Sequence, residues 1–423
     1  MDKIIITGGK QLKGNVIIEG AKNAALPIIA AAILADSPSV IKNVPPLSDV
    51  HTMLSILASL GVRSSLDPDK KEICIDPSGI DSWVAPYDMV RKMRASICVL
   101  GPLIGQFGKA KVSLPGGCVI GQRPVDLHIK GLRALNVHIS VQHGYLEADA
   151  PDLQGATIFL GGRFGSSVLA TANVMLAAVK AKGTTLIYGA ACEPEIVDLA
   201  HFLNAMGARI EGAGSHAMAI HGVERMHGVE YNVIPDRIEA GTFIIAGAIT
   251  QSNITVNNIV PDHMLALLDK LAEAGVPFEV GKDYISVNAR SCTFKPIELT
   301  TLPYPGFPTD MQAQMMAFMT TVPGISIITE KIFPERFMHV AELLRMAADI
   351  SLENATAIIK GGYHLSGAPV MASDLRASAA LVLAGLVANG ETVINRIYHL
   401  DRGYFNMEEK LRALGAQIER VPS

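Results

Sequence analysis

Leu411-Arg412-Ala413-Leu414-Gly415-Ala416-Gln417-Ile418 is the stretch on which the fold turns. Two leucines three apart followed by glycine mark a helix end, because glycine takes the left-handed conformation that stops a helix. The apolar residue beyond it starts a strand. Near variants occur at LASLGV (57–62), LRALNVHI (132–139), LNAMGARI (203–210), LAEAGVPF (271–278) and LLRMAADI (343–350). The pivots are Gly61, Asn136, Gly207, Gly275, Ala347 and Gly415, at spacings of 75, 71, 68, 72 and 68. Six units of this period account for essentially all 423 residues. Ala347 lacks the conformational freedom of glycine, so the fifth copy reads as the weakest.

A second element repeats half a unit out of phase: an apolar helix, a short turn, then a strand rich in Val, Ile and Thr. Its copies include ALPIIAAAILADSPSVIKNV (25–44), VLATANVMLAAVKAKGTTLIYG (168–189) and ASAALVLAGLVANGETVINRI (377–397). These helices are apolar on nearly every face, which predicts burial all round, whereas the helices ending in the pivots are amphipathic. Buried helices inside a wall of sheets make an inside-out α/β barrel. Six units could close one ring or two groups of three; three units match a normal large domain, so two similar domains are expected.

Composition agrees. Hydrophobic residues make up 49% and charged residues 18%, which excludes intrinsic disorder. Aromatics are only 5% against 38 glycines, so close approach of backbones replaces large rings. A net charge of −4 without long basic runs argues against a nucleic-acid partner. The longest apolar stretches fall short of the roughly 20 residues a membrane span needs. Five irregularly spaced cysteines, with no CxxC pair, read as free thiols in a reducing cytoplasm.

The helix N-termini are where chemistry is expected, since unpaired N–H groups and the dipole attract anions there. Residues at the buried-helix starts are Lys22-Asn23, Arg94, Gly165-Ser166-Ser167, Asp236-Arg237, Asp310 and Asp374 with Arg376. The second helices begin near Asp49, Arg123–Asp126, Glu195, Asp262, Arg336 and Asp401-Arg402. Asp49, Glu195 and Asp262 read as ordinary first-turn acids. The arginines oppose the dipole, so they point instead to a cleft for a multiply anionic ligand, such as phosphates. Cys118, after Gly116-Gly117 and before Arg123, is a candidate nucleophile or proton donor. Asp310, after the Pro305-Gly306-Phe307-Pro308 loop, is read as a helix cap or a general base. No histidine spacing suggests a metal, and no Rossmann or Walker loop is present.

The segments GAKNAALP, VRKMRASI, LPGGCVIGQRPVDLH, PDRIEAGT, FPTDMQAQ, SDLRASAALVLAGL and HLDRGYFNMEEKLRALGA, in this order along the chain, resemble the UDP-N-acetylglucosamine 1-carboxyvinyltransferase family. These are the enolpyruvyl transferases of early peptidoglycan synthesis. The resemblance implies transfer of an enolpyruvyl group from phosphoenolpyruvate to the 3-hydroxyl of UDP-N-acetylglucosamine, with phosphate released through a tetrahedral intermediate. It implies no metal and no other cofactor. The implied domains are 22–232 and 1–21 with 233–423, the active site lying in the cleft between them.

Residue by residue, the resemblance makes Lys22 and Asn23 contacts to phosphoenolpyruvate and Arg94 a contact to the UDP-sugar. It makes Cys118 the loop cysteine that protonates phosphoenolpyruvate and that fosfomycin alkylates. Arg123, Pro124, Val125, Asp126 and Leu127 match the stretch holding uridine and diphosphate. Asp310 matches the carboxylate that takes the hydroxyl proton, and Ile332 a backbone contact to the sugar nucleotide. Arg336, Asp374, Arg376 and Arg402 match the polar set around the reacting phosphate. Three places depart from the family pattern: residues 161–169, Cys192, and Pro334-Glu335. Two other functions remain compatible with the residues alone, a non-catalytic UDP-sugar binder and enolpyruvyl transfer to a different acceptor.

Overall fold

The computed structural model describes residues 2–114, 116 and 125–422, and in it the sixfold repeat is a repeat of one four-stranded sheet. The sheet of the fifth repeat shows the pattern. The edge strand Glu298–Thr300 runs parallel to Gly324–Thr329, which pairs antiparallel with Thr356–Gly361, which pairs antiparallel with Asp349–Glu353. The buried helix Gln312–Thr321 connects the first two strands and the amphipathic helix Met338–Arg345 precedes the hairpin. All six sheets among the described residues keep this order. Within a strand such as Lys3–Thr7, alternate residues are buried, so each sheet turns one face inward.

Two units result, one built from the chain up to Glu19 and from Pro235 onward, the other from the described residues between Gly20 and Ile234. Each holds three repeats, and the architecture is an inside-out α/β barrel in two similar copies. In the first unit the helices Arg237–Ile249, Gln312–Thr321 and Leu375–Val387 pack on one another. Burial covers Ile238–Ile249, Gln312–Thr320 and Arg376–Leu386 without a solvent stripe. In the second unit the same role falls to Lys22–Ala31, to Leu100–Phe107 with the 3-10 turn Arg94–Val99 leading into it, and to Val168–Ala178.

Edge strands are exchanged where the chain passes between units. Lys13–Ile17 precedes the Lys22–Ala31 helix in sequence but pairs parallel with Asn253–Asn257 of the first unit. Glu230–Asn232 precedes Arg237–Ile249 but pairs parallel with Ser39–Lys42 of the second. The N-terminal strand Lys3–Thr7 fills the third place in the sixth sheet, between Glu391–Asn395 and Gln417–Val421.

All six pivots have positive φ, from +65° at Asn136 to +105° at Gly207. Ala347 is among them at +66°, so the fifth helix ends as the others do, though on a residue less suited to it. Its conformation costs about 1–2 kcal/mol for a residue with a Cβ.

Candidate active site

Asp310 sits in the 3-10 turn Thr309–Met311 that opens the Gln312–Thr321 helix. Each of its carboxylate oxygens takes a guanidinium: Arg336 Nη1 donates to Oδ1 at 2.7 Å and Arg376 Nη2 to Oδ2 at 3.1 Å. Both arginine side chains are nearly inaccessible, at 7% and 3%, while the Asp310 side chain keeps 27% exposure. A carboxylate reachable from solvent is thus braced from behind by two buried cations. Burial opposes the charge on each arginine, but Asp310 together with Asp374 at Arg336, and with Tyr404 and Asp236 at Arg376, outweighs it, and both pKa values lie above the ordinary arginine range.

Arg376 comes from the first turn of Leu375–Val387, which is capped by Asp374: its Oδ1 accepts from the N–H of Arg376 at 2.8 Å and of Ala377 at 3.1 Å. The Arg376 guanidinium lies 5.5 Å from the Tyr404 ring, and the Tyr404 hydroxyl contributes to holding it charged. Arg336 also donates to Thr309 Oγ1 at 3.1 Å. His339, fully buried beside this cluster, has its pKa pushed down to about 4 by burial, the field of Arg336 adding to this and that of Asp374 opposing it. It is neutral at pH 7. Arg402 lies half-buried in the 3-10 turn Ile397–Arg402 of the same unit. Ile332 spends its N–H on Glu330 Oε1 at 2.8 Å, so a backbone contact from this residue to a ligand falls to its carbonyl.

In the second unit, Lys22 opens the Lys22–Ala31 helix and its Nζ donates to Asp49 Oδ2 at 3.1 Å, the side chains being only 10% and 5% exposed. Asp49 is therefore more than a first-turn acid: it is the buried counter-ion of a candidate site lysine. Asn23 beside it is half-buried. Arg94 begins the turn Arg94–Val99, whose Ile97 carbonyl accepts from Asn173 Nδ2 at 3.0 Å. The same amide nitrogen lies 3.0 Å from His128 Nδ1, while Asn173 Oδ1 accepts from the N–H of Gly101 at 2.8 Å. Asn173 thus locks the Arg94 segment to the Asp126–Ala134 helix. Burial, with Arg94 nearby, pushes the His128 pKa down to about 3, so the imidazole is neutral. Val125 and Leu127 are half-buried and Asp126 is exposed. Cys118, Arg123 and Pro124 lie outside the described residues.

Among the departures, Ser167 caps the Val168–Ala178 helix through the N–H of Ala170, and Cys192 is buried with its Sγ 3.4 Å from His216 Nδ1. Burial raises the Cys192 thiol pKa, Glu193 adding to it, which keeps that sulfur protonated. Among the described residues, no three metal-ligating side chains cluster and no helix is long and apolar enough to cross a membrane.

Residues 6–411 match the family model described as EPSP synthase (3-phosphoshikimate 1-carboxyvinyltransferase). A relative from Desulfosudis oleivorans, named UDP-N-acetylglucosamine 1-carboxyvinyltransferase, is 52% identical over 421 residues, covering 100% of both chains. The chain belongs to the enolpyruvyl transferase family. The solved structure of the enolpyruvyl transferase NikO from Streptomyces tendae matches with a TM-score of 0.90 at 26% identity, over 100% of this chain and 99% of that one. An EPSP synthase from Acinetobacter baumannii matches over the full length of both chains with a TM-score of 0.76 at 17% identity, a likeness of fold.

Within this enolpyruvyl transferase, sequence reasoning misses four residues that organise the candidate site. Asp49 reads as an ordinary first-turn acid. Thr309 stands directly before Asp310 but carries no signal of its own. Glu330 directly follows an apolar strand. Asn173 gives the clearest available hint, the lone carboxamide in the apolar helix VLATANVMLAA.

Proposed function

We propose that this protein transfers the enolpyruvyl group of phosphoenolpyruvate to the 3-hydroxyl of UDP-N-acetylglucosamine and releases phosphate. The observation that carries the reading is the solvent-reachable Asp310 carboxylate, ion-paired with two buried arginines, in a chain 52% identical to a UDP-N-acetylglucosamine 1-carboxyvinyltransferase. Asp310 takes the proton of the 3-hydroxyl as that oxygen bonds to C2 of phosphoenolpyruvate. Cys118 delivers a proton to C3, giving a tetrahedral phospholactoyl adduct. Loss of a proton from C3 and cleavage of the C2–O bond to phosphorus-bearing oxygen restore the double bond and free inorganic phosphate.

Lys22, Asn23 and Arg402 are assigned to phosphoenolpyruvate. Arg336, Asp374 and Arg376 are assigned to the polar set around the reacting phosphate, where the two guanidiniums offset its negative charge. Arg94, Arg123, Pro124, Val125, Asp126 and Leu127 are assigned to the uridine diphosphate, and the Ile332 carbonyl to the sugar nucleotide. The reaction uses side-chain proton transfer and electrostatics and calls on no cofactor. In this reading the protein works in the cytoplasm at the first committed step of peptidoglycan synthesis, and so serves cell shape and division.

Phosphate release from phosphoenolpyruvate, measured with and without UDP-N-acetylglucosamine, tests the reading. Release that requires the UDP-sugar supports it, whereas tight UDP-sugar binding without release makes the protein a binder and sinks it. Competition against 3-phosphoshikimate decides the acceptor. Fosfomycin should alkylate Cys118 when the UDP-sugar is present, seen as a mass increase on the peptide carrying it; an unmodified Cys118 counts against its assigned role.

A further inference from the structure

We infer that Glu330 is a positioning residue for the enolpyruvyl transfer proposed above, orienting Thr309 and, through it, the Arg336 guanidinium against Asp310. The inference rests on that reading. Glu330 follows the strand Gly324–Thr329 and is 0% exposed. Its Oε1 accepts from Thr301 Oγ1 at 2.7 Å and from the N–H groups of Ile332 at 2.8 Å and Phe333 at 2.9 Å. Its Oε2 accepts from Thr309 Oγ1 at 2.9 Å. The Thr309 hydroxyl has one proton, and a carboxylate can only accept, so that proton points at Glu330. The hydroxyl lone pairs are left facing Arg336 Nη1 at 3.1 Å, the same nitrogen that reaches Asp310 at 2.7 Å.

The repeats supply an internal comparison. Asn43 and Asn258 occupy the equivalent place after Ser39–Lys42 and Asn253–Asn257. Their Nδ2 atoms donate to the carbonyls of Val233 at 2.9 Å and Ile18 at 2.7 Å, the residues directly after the parallel edge strands. Thr301 stands directly after the edge strand Glu298–Thr300, so Glu330 makes the same strand-to-strand link. A neutral carboxamide suffices for that link in two other sheets. A fully buried carboxylate is costlier to desolvate than a carboxamide. What the carboxylate adds is the fixed polarity of Thr309 and the anchoring of the 330–336 turn that carries Ile332 and Arg336.

The test compares Glu330→Gln, Thr309→Val, Thr309→Ser, their Glu330→Gln/Thr309→Val combination, and Asn258→Ala as the purely structural link. Steady-state phosphate release, thermal unfolding and a crystal structure of Thr309→Val are measured on the full chain. We expect kcat to fall about 10-fold or more in Thr309→Val and up to about 100-fold in Glu330→Gln, as small misplacements of catalytic groups do. Thr309→Ser should restore kcat, the double variant should fall no further than Glu330→Gln, and Asn258→Ala should lower only the melting temperature. In the crystal structure of Thr309→Val, Arg336 should leave its 2.7 Å contact with Asp310. Wild-type kcat in both single variants, multiplying losses in the double variant, or an unmoved Arg336 overturns the inference. If the wild-type protein releases no phosphate, the functional reading fails instead, and the position of Arg336 in Thr309→Val still decides the role of Glu330.

Discussion

His128 and Asp198 belong to the same unit and titrate against each other. Burial and Arg94 hold the His128 pKa near 3, so below about pH 6.5 the unfolded chain binds a proton that the folded one refuses. Stability from this residue is present above pH 6.5 and is lost on acidification at about 1.4 kcal/mol per pH unit. Burial raises Asp198 to about 6, against the opposing bonds from Tyr231 Oη and the Ile234 N–H, so the folded chain takes up a proton there before the unfolded one does. That contribution rises as the pH falls through 6, and the two offset each other over the next two units. Urea unfolding near pH 7 and near pH 5 should therefore show an acid loss of stability uncovered in Asp198→Asn and an acid gain in His128→Gln; equal slopes in both variants would refute the pairing. A backbone prediction stands beside it. Ala347 is exposed at φ +66°, so Ala347→Gly removes strain without emptying the core and should raise the melting midpoint by about 2–4 °C. Arg336 and Arg376 can be named from sequence because each stands near a helix start, where a cation is out of place, and Asp310 because it follows the proline-punctuated 305–308 loop at another. Glu330 cannot, since its partners Thr301 and Thr309 lie 29 and 21 residues away and meet it only in the folded chain.

The six buried helices pack by means of small residues, and two glycines with opposite surroundings measure how tightly. Gly101, in Leu100–Phe107, lies so close to Val168–Ala178 that a Cβ would stand 2.3 Å from the Asn173 carbonyl oxygen. Backbone cannot yield as a side-chain tip can, so Gly101→Ala must push the helices apart and also strains the Gly101 N–H bond to Asn173 Oδ1. It should cost about 1–3 kcal/mol, in spite of the better helix propensity of alanine. Gly385, in Leu375–Val387, would place its Cβ 3.0 Å from Ile6 Cδ1, the end of a flexible chain. There the gain of about 1 kcal/mol in propensity should offset the crowding, leaving Gly385→Ala near neutral. Denaturant midpoints of both variants decide it, and equal losses would mean the helices are not in such close contact. At this scale the sequence is readable wherever periodicity carries the signal: an all-apolar helix and a glycine pivot are local features. The exchange of Lys13–Ile17 and Glu230–Asn232 between units is not, because a short edge strand says nothing of which sheet will accept it.

For the whole chain, the exchange of strands decides where it can be cut. The N–H of Ala21 donates to the Ile234 carbonyl at 2.7 Å, and that of Asp236 to the Glu19 carbonyl at 2.8 Å, so both ends of each unit meet within it. Residues 20–234 are consequently one continuous stretch of three repeats with its own buried helices and a closing edge strand. Expressed alone, this stretch should unfold cooperatively in urea. A fragment shortened to 20–228 loses the pairing of Glu230–Asn232 with Ser39–Lys42, the Lys42–Glu230 ion pair, and the Tyr231 hydroxyl that donates to Asp198. Asp198 is 2% exposed and would keep only the remaining partners of a buried carboxyl. Unsatisfied buried groups and lost strand bonds together should lower stability by about 3 kcal/mol or more relative to 20–234. Equal midpoints for the two fragments would show that the returning strand merely lies against its sheet, whereas a shifted midpoint makes it the piece that completes the second unit.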